Sequence, residues 1–150
     1  MIVNAVFAFL HFVLAFGVFS TLFFQWLTLG RTPTYREATR LQACDRGYGS
    51  FAAGLLVVGL LRVCYFEKGS DYYFSSFFFW AKLTLFVAVG LLSIYPTLQF
   101  ISWRNETKHN RAPVLTDKQF STLTIVLRLE LLALLAILLC ASLMAKGISP

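Results

Sequence analysis

Four long apolar runs constrain this chain more than any other feature. They are Ile2 to Leu29, Gly47 to Phe66, Tyr73 to Trp103 and Phe120 to Ala145. A helix needs about 20 apolar residues to cross the hydrocarbon layer. Each run reaches that length, and the first contains no Lys, Arg, Asp or Glu. A cleaved signal peptide begins with basic residues and has an apolar stretch of only about 7–15 residues. The first run has no basic start and is far longer, so it reads as a retained span. Four spans and short connections consume almost all 150 residues. The expected fold is therefore all-α: a four-helix transmembrane bundle forming a single integral membrane domain over 1–150. Only 13% of the residues are charged, about half the share in soluble domains. An ordinary soluble domain, a disordered chain and a disulfide scaffold are excluded.

Charge then sets the orientation. Arg31, Arg36, Arg40 and Arg46 lie between the first two runs. Arg104, Lys108, Arg111 and Lys118 lie between the last two. The second connection carries only Lys68, beside Glu67 and Asp71, and only Lys146 follows the fourth run. Basic connections stay cytoplasmic, so both termini are expected outside, in the periplasm of a bacterial inner membrane. The partners this implies are the lipid bilayer and its anionic cytoplasmic leaflet, and not nucleic acid. Thr34 to Asp45 reads as a short cytoplasmic amphipathic helix over 34–45 that extends into the second run, with Thr34 and Glu37 as a capping box. Pro96 is expected to kink the third helix.

Along the first run, Asn4, His11 and Gln25 are separated by multiples of seven, a spacing that keeps one helix face. Phe9, Phe12, Phe16, Phe19 and Phe23 form a second stripe, expected to face lipid. Gly47, Gly49, Gly54 and Gly59 mark the second run as the most enclosed helix, because small residues let backbones approach. Ser121, Thr124, Arg128 and Ser142 fall on one line of the fourth run, with Glu130 pointing roughly the other way.

Depth selects the candidate site. His11 and Lys82 each lie about 13 Å from the outer ends of their helices, and Arg128 and Glu130 about 12–15 Å from the inner end of theirs. Charges at mid-membrane are costly and face protein, water or a ligand. Arg62 sits shallower, within snorkelling reach of Glu67 or Asp71. Lys82 and Arg128 outnumber Glu130, so an anionic partner is expected there: haem propionates, a lipid headgroup or an anionic substrate. His11 is the only span histidine. It is either a metal ligand, with haem b as the candidate cofactor, or an interhelical hydrogen-bonding residue. Cys64, Cys140 and Met144 with His11 form a sparser soft-ligand set for copper(I). Cys64 and Cys140 read as buried small hydrophobes or a disulfide pair.

Several segments carry a resemblance. They are Leu10-His11, Asp45-Arg46-Gly47-Tyr48-Gly49, Gly59-Leu60-Leu61-Arg62-Val63, Glu67-Lys68-Gly69, Phe79-Trp80-Ala81-Lys82-Leu83 and Tyr95-Pro96-Thr97. Together they resemble domain-of-unknown-function family 2214, bacterial four-helix membrane proteins, over nearly the whole chain. More distantly, the plan is similar to copper-resistance-D-like proteins and HemJ-type protoporphyrinogen oxidases. That resemblance implies a haem b ligand at His11 and a functional lysine at Lys82. Two functions follow as expectations. One is a haem- or tetrapyrrole-associated redox protein, with His11 as ligand, Lys82 and Arg128 holding carboxylates, and Glu130 relaying protons. The other is non-enzymatic: a small transporter, assembly factor or membrane-complex subunit. There Glu130 marks the interface of a homo-oligomer or with a membrane partner. Whether the chain is an enzyme stays open between them.

Overall fold

The computed structural model describes residues 2–66 and 77–146. Its helices are α1 (Ile2–Thr28), α2 (Tyr35–Leu61), α3 (Phe77–Ser102), the short α4 (Arg104–Lys108) and α5 (Asp117–Ala145). A π-helical turn, Arg62–Phe66, extends α2. Four helices are long and apolar enough to cross a membrane. The molecule is an all-α, four-helix transmembrane bundle. The Glu67–Tyr72 connection, its Glu67 and Asp71, and the expected start of the third run at Tyr73 lie outside the described residues.

Two helix pairs make the bundle. α1 packs chiefly on α2, and α3 on α5; the pairs meet through α1 with α5 and α2 with α3. Both basic connections lie at one end. Arg31 of the first reaches Asp117 at the start of α5, 3.4 Å away, and its guanidinium lies over the Phe120 ring. At the same end Gln42 Nε2 donates to the Phe100 carbonyl at 2.8 Å, and the Thr107 hydroxyl donates to Gln42 Oε1 at 3.2 Å.

Local chemistry sets the helix starts. Thr34 and Glu37 form the capping box: the Glu37 amide donates to the Thr34 hydroxyl, and the Thr34 amide to Glu37 Oε2. Thr116 and Gln119 repeat it at α5, so α5 begins three residues before the apolar run at Phe120. Each box satisfies amide donors that a helix start leaves open. The amphipathic stretch 34–45 is the extension of the second run that its sequence suggests. It runs unbroken into the second span, because Gly47 and Gly49 lower helix propensity without stopping the ladder.

The inward face repeats every three or four residues, as left-handed bundles require. Val18, Leu22 and Gln25 of α1 are buried, as are Ala38, Leu41, Asp45 and Tyr48 of α2, and Leu123, Leu127, Glu130 and Leu134 of α5. Phe9, Phe12 and Phe16 are 65–72% exposed, which is where lipid lies in a spanning helix. The glycines work against α1 only. A Cβ at Gly17 would stand 2.7 Å from the Phe51 ring, one at Gly54 3.1 Å from Leu14, and one at Gly59 3.4 Å from His11. Nothing lies within 4 Å of such an atom at Gly49. The most enclosed helix is therefore α5, with 28% of its apolar window buried against 6% for α2.

Candidate functional site

Hydrocarbon offers no partner to a polar group, so polar side chains gather where helices face one another. Glu130 is the extreme case. It is 0% exposed, and neither carboxylate oxygen has a hydrogen-bond partner. It shares the α5 face of Leu123, Leu127 and Leu134. Asp45 of α2 is the charged group that acts on it electrostatically, and it is a like charge. The Tyr48 phenol, one turn beyond Asp45, is within electrostatic reach of both carboxyls and beside the Ser93 hydroxyl of α3. Gln25 of α1 is also buried, with its Nε2 unpartnered. All four spans thus contribute buried or half-buried polar groups.

Asp45 differs from Glu130 in having a partner. The Thr97 hydroxyl of α3 donates to Asp45 Oδ1 at 2.9 Å. Asp45 also lines a cavity of about 190 Å³ with Gln42, Arg46, Phe100, Ile101 and Arg104. That cavity lies toward the basic-connection end. Two carboxyls in a buried setting without a cation between them cannot both carry charge at moderate cost. The arrangement is chemically suited to holding a proton.

Two of the expected site residues sit together elsewhere. His11 is half-buried, and its Nδ1 is buried without a hydrogen-bond partner. Arg62 and Lys82 lie within electrostatic reach of it. Lys82 Nζ stands 5.3 Å over the Phe79 ring. This group is nearer the end that carries the chain termini.

Arg128 does not join them. Its side chain is exposed, and so are those of Ser121 and Ser142 on the same line. Ile125, Leu132 and Leu135 share that outward face. The polar line expected to face inward therefore faces out, and Glu130 faces in rather than marking an outer interface. The reason is packing. Leu123, Leu127 and Leu134 fill the apolar clusters of the bundle on the Glu130 face. Cys64 is exposed rather than buried, and all three cysteines are unpaired. Among the described residues no three His, Cys, Asp or Glu side chains converge as metal ligands.

Asp45 and Tyr48 escaped the sequence reading because they precede or open the apolar run, where a charged residue looks cytoplasmic. The sign was present: Ala38, Leu41, Asp45 and Tyr48 keep one heptad face, so Asp45 sits where a core leucine would.

No curated protein and no solved structure is significantly similar to the chain. One family model matches residues 3–149, nearly the full length, and its description is a predicted membrane protein of the DUF2214 family. Sequence match and bundle agree, and the chain belongs to the DUF2214 family of membrane proteins.

Proposed function

We propose that the chain is a small transport component of a bacterial inner membrane that takes up and releases a proton at the Glu130–Asp45 pair. One observation carries this reading. Glu130 is fully buried in a spanning helix with no hydrogen-bond partner on either oxygen. A merely structural carboxyl would have acquired a partner, since an ionised carboxylate in such a setting costs several kcal/mol. Intramembrane ionisable groups that face a bundle interior typically serve ion or proton pathways. Infrared spectroscopy on the reconstituted protein tests this. A protonated-carboxyl band at neutral pH, absent in Glu130→Gln, is expected, together with proton flux into vesicles that the same variant abolishes. A missing band, or flux equal in both proteins, overturns the reading.

A haem- or tetrapyrrole-associated redox role rests on a different observation, the unpartnered Nδ1 of His11 near Lys82 and Arg62. The fit is partial. The imidazole edge bearing Nδ1 and Cε1 rests against Gly59 of α2, and Arg128 is turned away from any propionate placed there. A Soret band in protein from haem-replete cells, lost in His11→Ala, would favour this role over the carrier. Partners are part of the proposal: anionic lipid at the basic connections, and a second copy or other membrane subunit against the exposed apolar faces.

A further inference from the structure

Glu130 is sealed inside the bundle, so a proton must reach it through other groups. Only one of its polar neighbours also lines a described cavity. That neighbour is Asp45, whose carboxyl borders the 190 Å³ cavity between α2, α3 and α4 and interacts electrostatically with Glu130. We infer that Asp45 is the relay by which protons enter from the basic-connection end, pass Tyr48 and reach Glu130. This rests on the proton-binding reading of Glu130 and adds its route and side.

The surroundings of Asp45 suit it to the relay. Arg46 on its own helix and Arg104 on α4 line the same cavity. Of the two, Arg46 acts on the Asp45 carboxyl electrostatically. Thr97 of α3 holds Oδ1, leaving Oδ2 for the incoming proton. Toward the core, Asp45 acts electrostatically on Tyr48 of α2 and Glu130 of α5, and the buried positions of α1 carry no charge: Val18, Leu22 and Gln25. Glu130 has a like charge and no guanidinium acting on it. The transfer balances without a co-reactant. Cavity water gives a proton to Oδ2 of Asp45, forming an O–H bond and leaving hydroxide to the bulk. Because no group hydrogen-bonds Glu130 directly, a bridging water carries the Tyr48 hydroxyl proton to the Glu130 carboxylate, and the Tyr48 oxygen receives the one from Asp45. Asp45 is again a carboxylate, Tyr48 a phenol and Glu130 a carboxylic acid.

Hydrogen–deuterium exchange of the Glu130 carboxyl band, followed by infrared spectroscopy of the full chain in nanodiscs, tests the route. Asp45→Asn is expected to slow exchange about a hundredfold, the usual worth of a positioned acid–base group. Tyr48→Phe is expected to slow it less, because water can replace a hydroxyl. Ser142→Ala, exposed toward the opposite end, should leave the rate unchanged. A Glu130 band that exchanges as fast in Asp45→Asn as in the parent protein overturns the route and leaves the proton-binding reading standing. Absence of the band in the parent overturns both. Should Asp45→Asn fail to fold, Ile101→Cys carrying a bulky thiol reagent plugs the cavity instead. Slowed exchange then supports the route, and an unchanged rate overturns it.

Discussion

A carboxyl in a bundle interior is stable if it is neutral, or if something cancels its charge. Glu130 has no cation acting on it and no hydrogen-bond partner, so the folded protein tolerates the neutral form best. This separates three substitutions. Glu130→Gln keeps shape and removes ionisation, and unfolding in detergent should change by no more than about 1 kcal/mol. Glu130→Leu removes a buried polar group and should leave stability equal or higher. Glu130→Lys places a cation within electrostatic reach of the Asp45 carboxyl, which can offset its burial; with Asp45→Asn beside it the same cation is unpaired and should cost about 3–5 kcal/mol. Denaturant titration in mixed micelles measures all three. A Lys variant as stable as the parent even with Asp45→Asn would mean that water or another anion already reaches the position, and the sealed-core description would be wrong.

At the level of elements, the α1–α2 pair shows how small residues build an interface without a hydrophobic drive between helices. Phe51 lies where a Cβ at Gly17 would be, 2.7–2.9 Å from three ring atoms. Gly17→Ala must therefore move a ring against α1, at a cost of about 1–3 kcal/mol. Gly49→Ala, in open space, should cost nothing and can stabilise the helix by up to about 1 kcal/mol. Pairing Gly17→Ala with Phe51→Ala should recover much of the loss, and a double-mutant cycle in the same micelles reads that coupling. The same elements show what a sequence can disclose. The four runs, the Thr34–Glu37 box and the Phe stripe were legible because length, capping chemistry and periodicity are local properties. The rotation of α5 was not. Arg128 and Glu130 are two residues apart, and residue type alone gives each an equal claim on the interior. Nor do the apolar neighbours decide it: Leu123, Leu127 and Leu134 share the Glu130 face, Ile125, Leu132 and Leu135 the Arg128 face, and lipid accepts either set. Asp45 was hidden for a related reason: its partner Thr97 lies 52 positions away, a pairing that only the packed bundle reveals.

For the whole molecule, the ends of the bundle differ in charge, and that difference sets what the site can do. Arg31, Arg36, Arg40, Arg46, Arg104, Lys108, Arg111 and Lys118 all belong to the end where Arg31 meets Asp117 and Gln42 meets Thr107. Basic connections are retained in the cytoplasm during insertion, so this end is expected to face inward and the cavity beside Asp45 to open toward the cytoplasm. The chain termini and the His11–Lys82 group then face the other compartment. A cysteine-free background (Cys44→Ala, Cys64→Ala and Cys140→Ala) makes this measurable. Ala112→Cys lies in the basic connection and Ala145→Cys at the opposite end, and both side chains are exposed. A membrane-impermeant thiol reagent added to intact cells should label Ala145→Cys and leave Ala112→Cys untouched until the membrane is opened. The reverse pattern would place the Asp45 cavity on the outside. Proton entry would then run down the membrane potential from outside through Asp45, and the chain would be built to admit protons rather than to load them from the cytoplasm.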